Sequence, residues 1–108
     1  MSEIEQGKTI TRIIFNHIAF EKHRAALTDK MGEYANRFND DPTNNSAFIK
    51  YAIAEAVLQT VSPLSSIQLS QSIREKCTHA GVNFDIEKFN NACVVIAVYA
   101  GQSKAQLT

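Results

Sequence analysis

An alternating three- and four-residue spacing runs through the first third of the chain and joins Ile10, Ile13, His17, Phe20, Arg24, Leu27, Met31, Tyr34 and Phe38. Seven of these nine positions are apolar or aromatic. Residues so spaced share one face of an α-helix, and a face that long has to be covered, by the rest of the chain or by another chain. The spacing predicts one heptad-patterned helix over residues 8–38. Thr9 or Thr11 can cap its start. Gly32 costs such a helix about 1 kcal/mol relative to Ala and is the place where it would bend or break.

Three shorter helices are expected to follow. Asn39–Asn45 is a loop, because every residue in it favours turns or the capping of free backbone amides. A second helix runs from near Ser46 to about Thr60, with Phe48, Ile49, Ala52, Ile53, Ala56, Val57 and Leu58 on a wide apolar face, and Pro63 ends it. A third opens at Ser65, where Ser65 and Gln68 form a capping box, and closes at Gly81, which suits a left-handed cap. A fourth opens at Asp85, with Phe84 and Phe89 placed for a hydrophobic staple, and Gly101 stops it. Val94, Val95, Ile96 and Val98 would also suit a strand, but a lone strand would leave its backbone groups unpaired.

The expected fold class is therefore all-α: a four-helix arrangement of one long N-terminal helix and a compact three-helix unit with the fourth helix as its central rod. Residues 1–108 make a single domain, with 1–7 and 102–108 frayed. The long helix would measure about 45 Å and the others nearer 20 Å each. That surplus of apolar stripe predicts a homodimer through the nine stripe positions. His17 and Arg24 then sit at a wet seam or fix its register.

Composition narrows the function classes. Eleven basic residues balance eleven acidic ones, so no global field draws the chain to nucleic acid or to an anionic membrane. Between Lys8 and Arg37, however, six basic residues face three acidic ones. His23, Lys30 and Arg37 recur every seven residues beside the stripe, either as a solvated flank or as a docking strip for an acidic protein or nucleic acid. The longest apolar run, Ala92–Ala100, has nine residues, about half a membrane span. The polar start lacks a secretory pattern, and two cysteines sixteen apart make no disulfide framework, so the expected compartment is the cytoplasm.

Chemistry-bearing patterns are weak. Cys77, His79 and Cys93 match no metal-ligand spacing, and both cysteines lie on apolar faces where cysteine acts as a small hydrophobe. Four scattered glycines build no phosphate loop, and no strand-to-helix turn presents a nucleophile. Neither a cofactor nor an enzymatic activity is expected. The expected function is that of a small regulatory or adaptor protein that binds another protein. The alternative is a DNA-binding regulator with a helix-turn-helix-like element at residues 48–79, in which Gln68, Gln71, Ser72 and Arg74 meet base edges. Against it, Arg74 and Lys76 are too few cations nearby for the phosphate contacts that supply most affinity.

Overall fold

The computed structural model describes residues 9–102 and is built from four helices, α1 (Glu21–Asp40), α2 (Asn45–Gln59), α3 (Ser66–Ala80) and α4 (Ile86–Tyr99). Two very short strands, β1 (Ile14–Phe15) and β2 (Leu64–Ser65), pair antiparallel, with Ile14 opposite Ser65 and Phe15 opposite Leu64. The all-helical class stands. The segments expected to fray lie outside the described residues, apart from Gln102, which is engaged.

Most helix ends form where local chemistry puts them. Asn44 caps α2 by accepting from Ala47 N–H at 3.1 Å. Ser65 and Gln68 close the capping box at the start of α3. Gly81, at φ 71°, takes the left-handed cap, and Val82 N–H reaches back to Cys77 O at 2.8 Å. Asp85 accepts from Glu87 and Lys88 N–H, and Phe84 meets Phe89 with ring centroids 5.5 Å apart. α1 passes unbroken through Gly32, where an added Cβ would meet nothing within 4 Å.

The start of α1 differs from the expectation: it lies at Glu21, not residue 8. Residues 9–15 run against the start of α3 and one side of α4, Asn16 meets Gln102, and His17–Phe20 pass the end of α2 into α1. Two physical reasons decide this. First, a helix through this stretch would use Ile10, Ile13, His17 and Phe20 on the stripe and strand Phe15 and Ile18 away from it. Extended, the chain buries Ile13 and Phe15 completely, two residues apart, and Ile18 nearly so. β-branched Thr9, Ile10, Thr11, Ile13 and Ile14 favour that geometry.

Second, side chains supply the hydrogen bonds that a lone extended segment lacks. Asn90 accepts from Thr11 N–H and donates to Thr9 O, both at 2.9 Å. Ser66, fully buried, accepts from Ile13 N–H at 2.9 Å, donates its hydroxyl to Thr11 O at 2.6 Å, and gives its own N–H to Ile13 O at 2.8 Å. Gln102 accepts from Asn16 N–H and donates to Asn16 O, each at 3.3 Å.

The geometric ground for a dimer seam along α1 disappears with this start. A 20-residue α1 is about 30 Å long, and the upstream part of the stripe is folded onto its own chain. Leu27 and Tyr34 are buried inside the molecule. The central rod is α2, not α4. α2 packs on each of the other three helices, and Ile49, Ala52, Ile53, Ala54 and Val57 are all fully buried around it. Alanines at 47, 52, 54 and 56 let those neighbours approach closely. α4 keeps an outer face, with Val94 and Val98 exposed.

Two outcomes are expected from these contacts. Gly32→Ala raises the unfolding free energy by about 0.5–1 kcal/mol, because it removes backbone freedom from an exposed helical site without a clash. Ser66→Ala lowers it by about 1–3 kcal/mol, because Ile13 N–H and Thr11 O lose a partner that water cannot replace inside the fold. Urea unfolding followed by far-ultraviolet circular dichroism measures both.

Candidate functional site: a basic strip over two tyrosines

The nine stripe residues divide between two environments. Ile10, Ile13, His17 and Phe20 belong to the extended segment and its connection to α1, while Arg24, Leu27, Met31, Tyr34 and Phe38 lie on α1. His17 and Arg24, the two polar members, converge on one end of α2. Arg24 Nη2 donates to Leu58 O at 2.9 Å, and His17 Nδ1 lies 3.3 Å from Thr60 O, so that nitrogen carries the proton. The last turn of α2 has no basic residue of its own. These two side chains therefore satisfy carbonyls that the helix end leaves open and complement its negative pole.

Phe38 leaves the stripe for an aromatic cluster. Its ring meets Phe48 at 5.0 Å, Phe48 meets Tyr51 at 6.4 Å, and these three with Ala35 and Asn39 line a cleft of about 250 Å³ between α1 and α2. That volume suits one side chain better than a small-molecule ligand.

Tyr34 anchors a charged face. Arg37 stands 5.9 Å and Lys50 5.6 Å from the centre of its ring, and Lys30 stands 5.0 Å from the centre of the Tyr99 ring. Glu33 is shared by Lys30 at 3.2 Å and Arg37 at 3.6 Å. Among the described residues Lys50 has no carboxylate within ion-pair range. Hydrogen bonds to Glu33 and Tyr99 raise the Lys30 pKa above its ordinary value. Burial pushes the Tyr34 hydroxyl up, with Lys30 and Arg37 pulling against it. Lys30 therefore stays charged and Tyr34 neutral at neutral pH. The face combines three ammonium or guanidinium groups, two tyrosines and one carboxylate, an excess of positive charge on a chain whose formal net charge is +0.

Lys30 and Arg37 are two members of the seven-residue repeat seen in the sequence. The third, His23, departs from it: its ring lies against Gly101, where a Cβ would collide with the imidazole, and meets Phe20 edge-to-face at 6.0 Å. Lys50 and Tyr99 escaped the sequence reading because they arrive from α2 and α4, and no spacing within one helix signals them.

The residues considered for base contact lie on α3 in unequal states. Gln71 and Ser72 are exposed. Gln68 is occupied in the capping box, and Arg74 lies 4.2 Å from the centre of the Phe84 ring. Residues 60–65 separate α2 from α3, longer than the three or four residues of a helix-turn-helix. The leading turn of α3, which such a motif presents to the groove, is covered by residues 11–13 at Ser66.

Cys77 and Cys93 are buried free thiols, and among the described residues no group of three or more potential ligands gathers to hold a metal. No helix among them is long and apolar enough to cross a membrane. Comparison with protein-family models, curated proteins and solved structures finds no match to this chain.

Burial pushes the Cys93 thiol up to about 12 and also raises Cys77. Unfolded thiols ionise near 9, so between about pH 9 and 12 the unfolded chain releases the Cys93 proton while the folded chain keeps it, and stability falls as pH rises through that window; Cys77 acts in the same direction. For Cys93 the slope is up to about 1.4 kcal/mol per pH unit. Unfolding midpoints in urea should drop between pH 8 and pH 10, and the drop should shrink in Cys93→Ala.

Proposed function

We propose that the chain is a non-enzymatic regulatory or adaptor protein of the cytoplasm, and that an acidic segment of another protein docks on the face formed by Lys30, Arg37, Lys50, Tyr34 and Tyr99. The reading rests on one observation above the others: three cations gather over two aromatic rings with a single carboxylate, which pairs with Lys30 and Arg37 and leaves Lys50 unmatched among the described residues, in a molecule without net charge. Arginine and tyrosine carry much of the energy of protein interfaces, because each combines a broad apolar body with directional polar atoms. Rings beneath the charges exclude water on one side, which strengthens attraction to an incoming carboxylate. The reading calls for no cofactor.

Affinity capture of the tagged full-length protein from its native lysate, with and without nuclease, tests this. The expected result is a stoichiometric protein partner that survives nuclease and is released as salt rises from 0.05 to about 0.5 M, as screening of exposed charges requires. The double variant Arg37→Glu with Lys50→Glu should lose at least tenfold in affinity while its melting temperature stays within a few degrees. Retention of the partner by that variant would place docking elsewhere. Loss of all partners on nuclease treatment would favour the DNA-binding alternative at residues 48–79.

A further inference from the structure

We propose that residues 9–16 exchange between two copies of this chain, each copy's segment docking on the start of α3 and the side of α4 of the other. The docking surface for this segment is built as a reader of extended backbone. Asn90 reads positions 9 and 11, Ser66 reads 11 and 13, Leu64 pairs with 15, and Gln102 reads 16. Ile13 and Phe15 fill buried pockets between these polar clamps. Main-chain bonds for affinity and alternate side chains for specificity are the features of strand-type peptide recognition. Every one of these partners lies in residues 64–102, so nothing in the docking itself distinguishes a segment of the same copy from that of another.

What ties the segment to its own copy is the short connection His17–Phe20. Its ends are exposed: His17 lies at the surface and Phe20 is 64% exposed. α1 begins after Phe20 with no side-chain cap. The helical stripe meanwhile continues in register upstream of Glu21 through Phe20, His17 and Ile13. α1 can therefore be prolonged backwards without breaking its pattern, at the cost of withdrawing Ile18 and the His17 contact. A helix rises about 1.5 Å per residue and a strand about 3.3 Å, so prolonging α1 into this connection draws the segment towards α1. Such a shift takes positions 9, 11, 13 and 16 off Asn90, Ser66 and Gln102 together, and the native register, with Ile13 and Phe15 in their pockets, re-forms on another copy.

A second copy is the occupant that fits. A foreign peptide on this surface would leave the displaced segment's backbone groups and apolar anchors without partners. Two copies that trade segments keep every clamp and both buried anchors on each side.

The experiment mixes equal amounts of light and isotopically heavy full-length protein, each with a photoreactive side chain replacing exposed Thr11. The mixture is refolded together at millimolar concentration. Sedimentation then separates monomer from dimer, and mass spectrometry reads crosslinks from position 11 to α4. Exchange predicts a dimer fraction in which roughly half of these crosslinks join light to heavy chains, and a monomer fraction with none. A dimer whose crosslinks stay within light or within heavy chains would overturn the proposal and place the interface elsewhere. A chain that stays monomeric after refolding at this concentration would overturn it as well. A separate preparation with the photoreactive group at Arg12, on the opposite side of the extended backbone, controls for crosslinking between non-exchanged neighbours and should give no light–heavy product to α4.

Discussion

An extended segment packed on helices has no strand ladder beyond one short pair to satisfy its amides and carbonyls, and such groups are costly to bury without partners. In this molecule Ser66, Asn90 and Gln102 take the place of the missing strand. Ser66 is the most constrained of the three, fully buried and engaged through both its hydroxyl and its amide. Its bonds hold Ile13 in the core, with Phe15 paired to Leu64 beside it, and so decide where the first helix can begin. The start of α1, the cover over the leading turn of α3 and the course of residues 9–20 all follow from this clamp.

The ends of the helices show a second economy. α2 is the central element and has no cation in its own last turn. Arg24 from α1 and His17 from the segment ahead of it supply the missing donors at Leu58 and Thr60. Both residues interrupt an otherwise apolar stripe, where a charged or polar group is normally a cost. Here each is placed so that its polar head reaches an open carbonyl while its position in the stripe is kept. The interruption that suggested register control between chains thus serves the packing of one helix on another within the chain.

The functional reading grows from the way charge is distributed around these packed elements. Lys30 and Arg37 stand one heptad apart on α1, and α2 and α4 bring Lys50 and Tyr99 beside them. Glu33 offsets part of that charge locally, and the rest of the chain balances the remainder elsewhere. A neutral molecule can in this way present one attractive face without a field strong enough to gather anions indiscriminately. On α3, in contrast, Arg74 is held against Phe84 and Gln68 within its own cap, which leaves little for a nucleic acid to meet.

Sequence alone determined the features whose causes lie within a few residues. The helical class, the Ser65–Gln68 box, the Asp85 cap with its Phe84–Phe89 staple, the left-handed Gly81 and a loop before α2, expected at 39–45 and found at 41–44, were legible, because each is a local contest between neighbouring backbone and side-chain groups. The start of α1 was not. Residues 9–20 carry a helical stripe and a β-branched extended pattern at once, and the partners that choose between them, Ser66, Asn90 and Gln102, stand 53 to 86 residues away. The same distance hid the basic face, whose Lys50 and Tyr99 join Lys30 and Arg37 only after α2 and α4 have packed against α1. A spacing rule reports what one helix can present, and only tertiary structure decides which surface it meets.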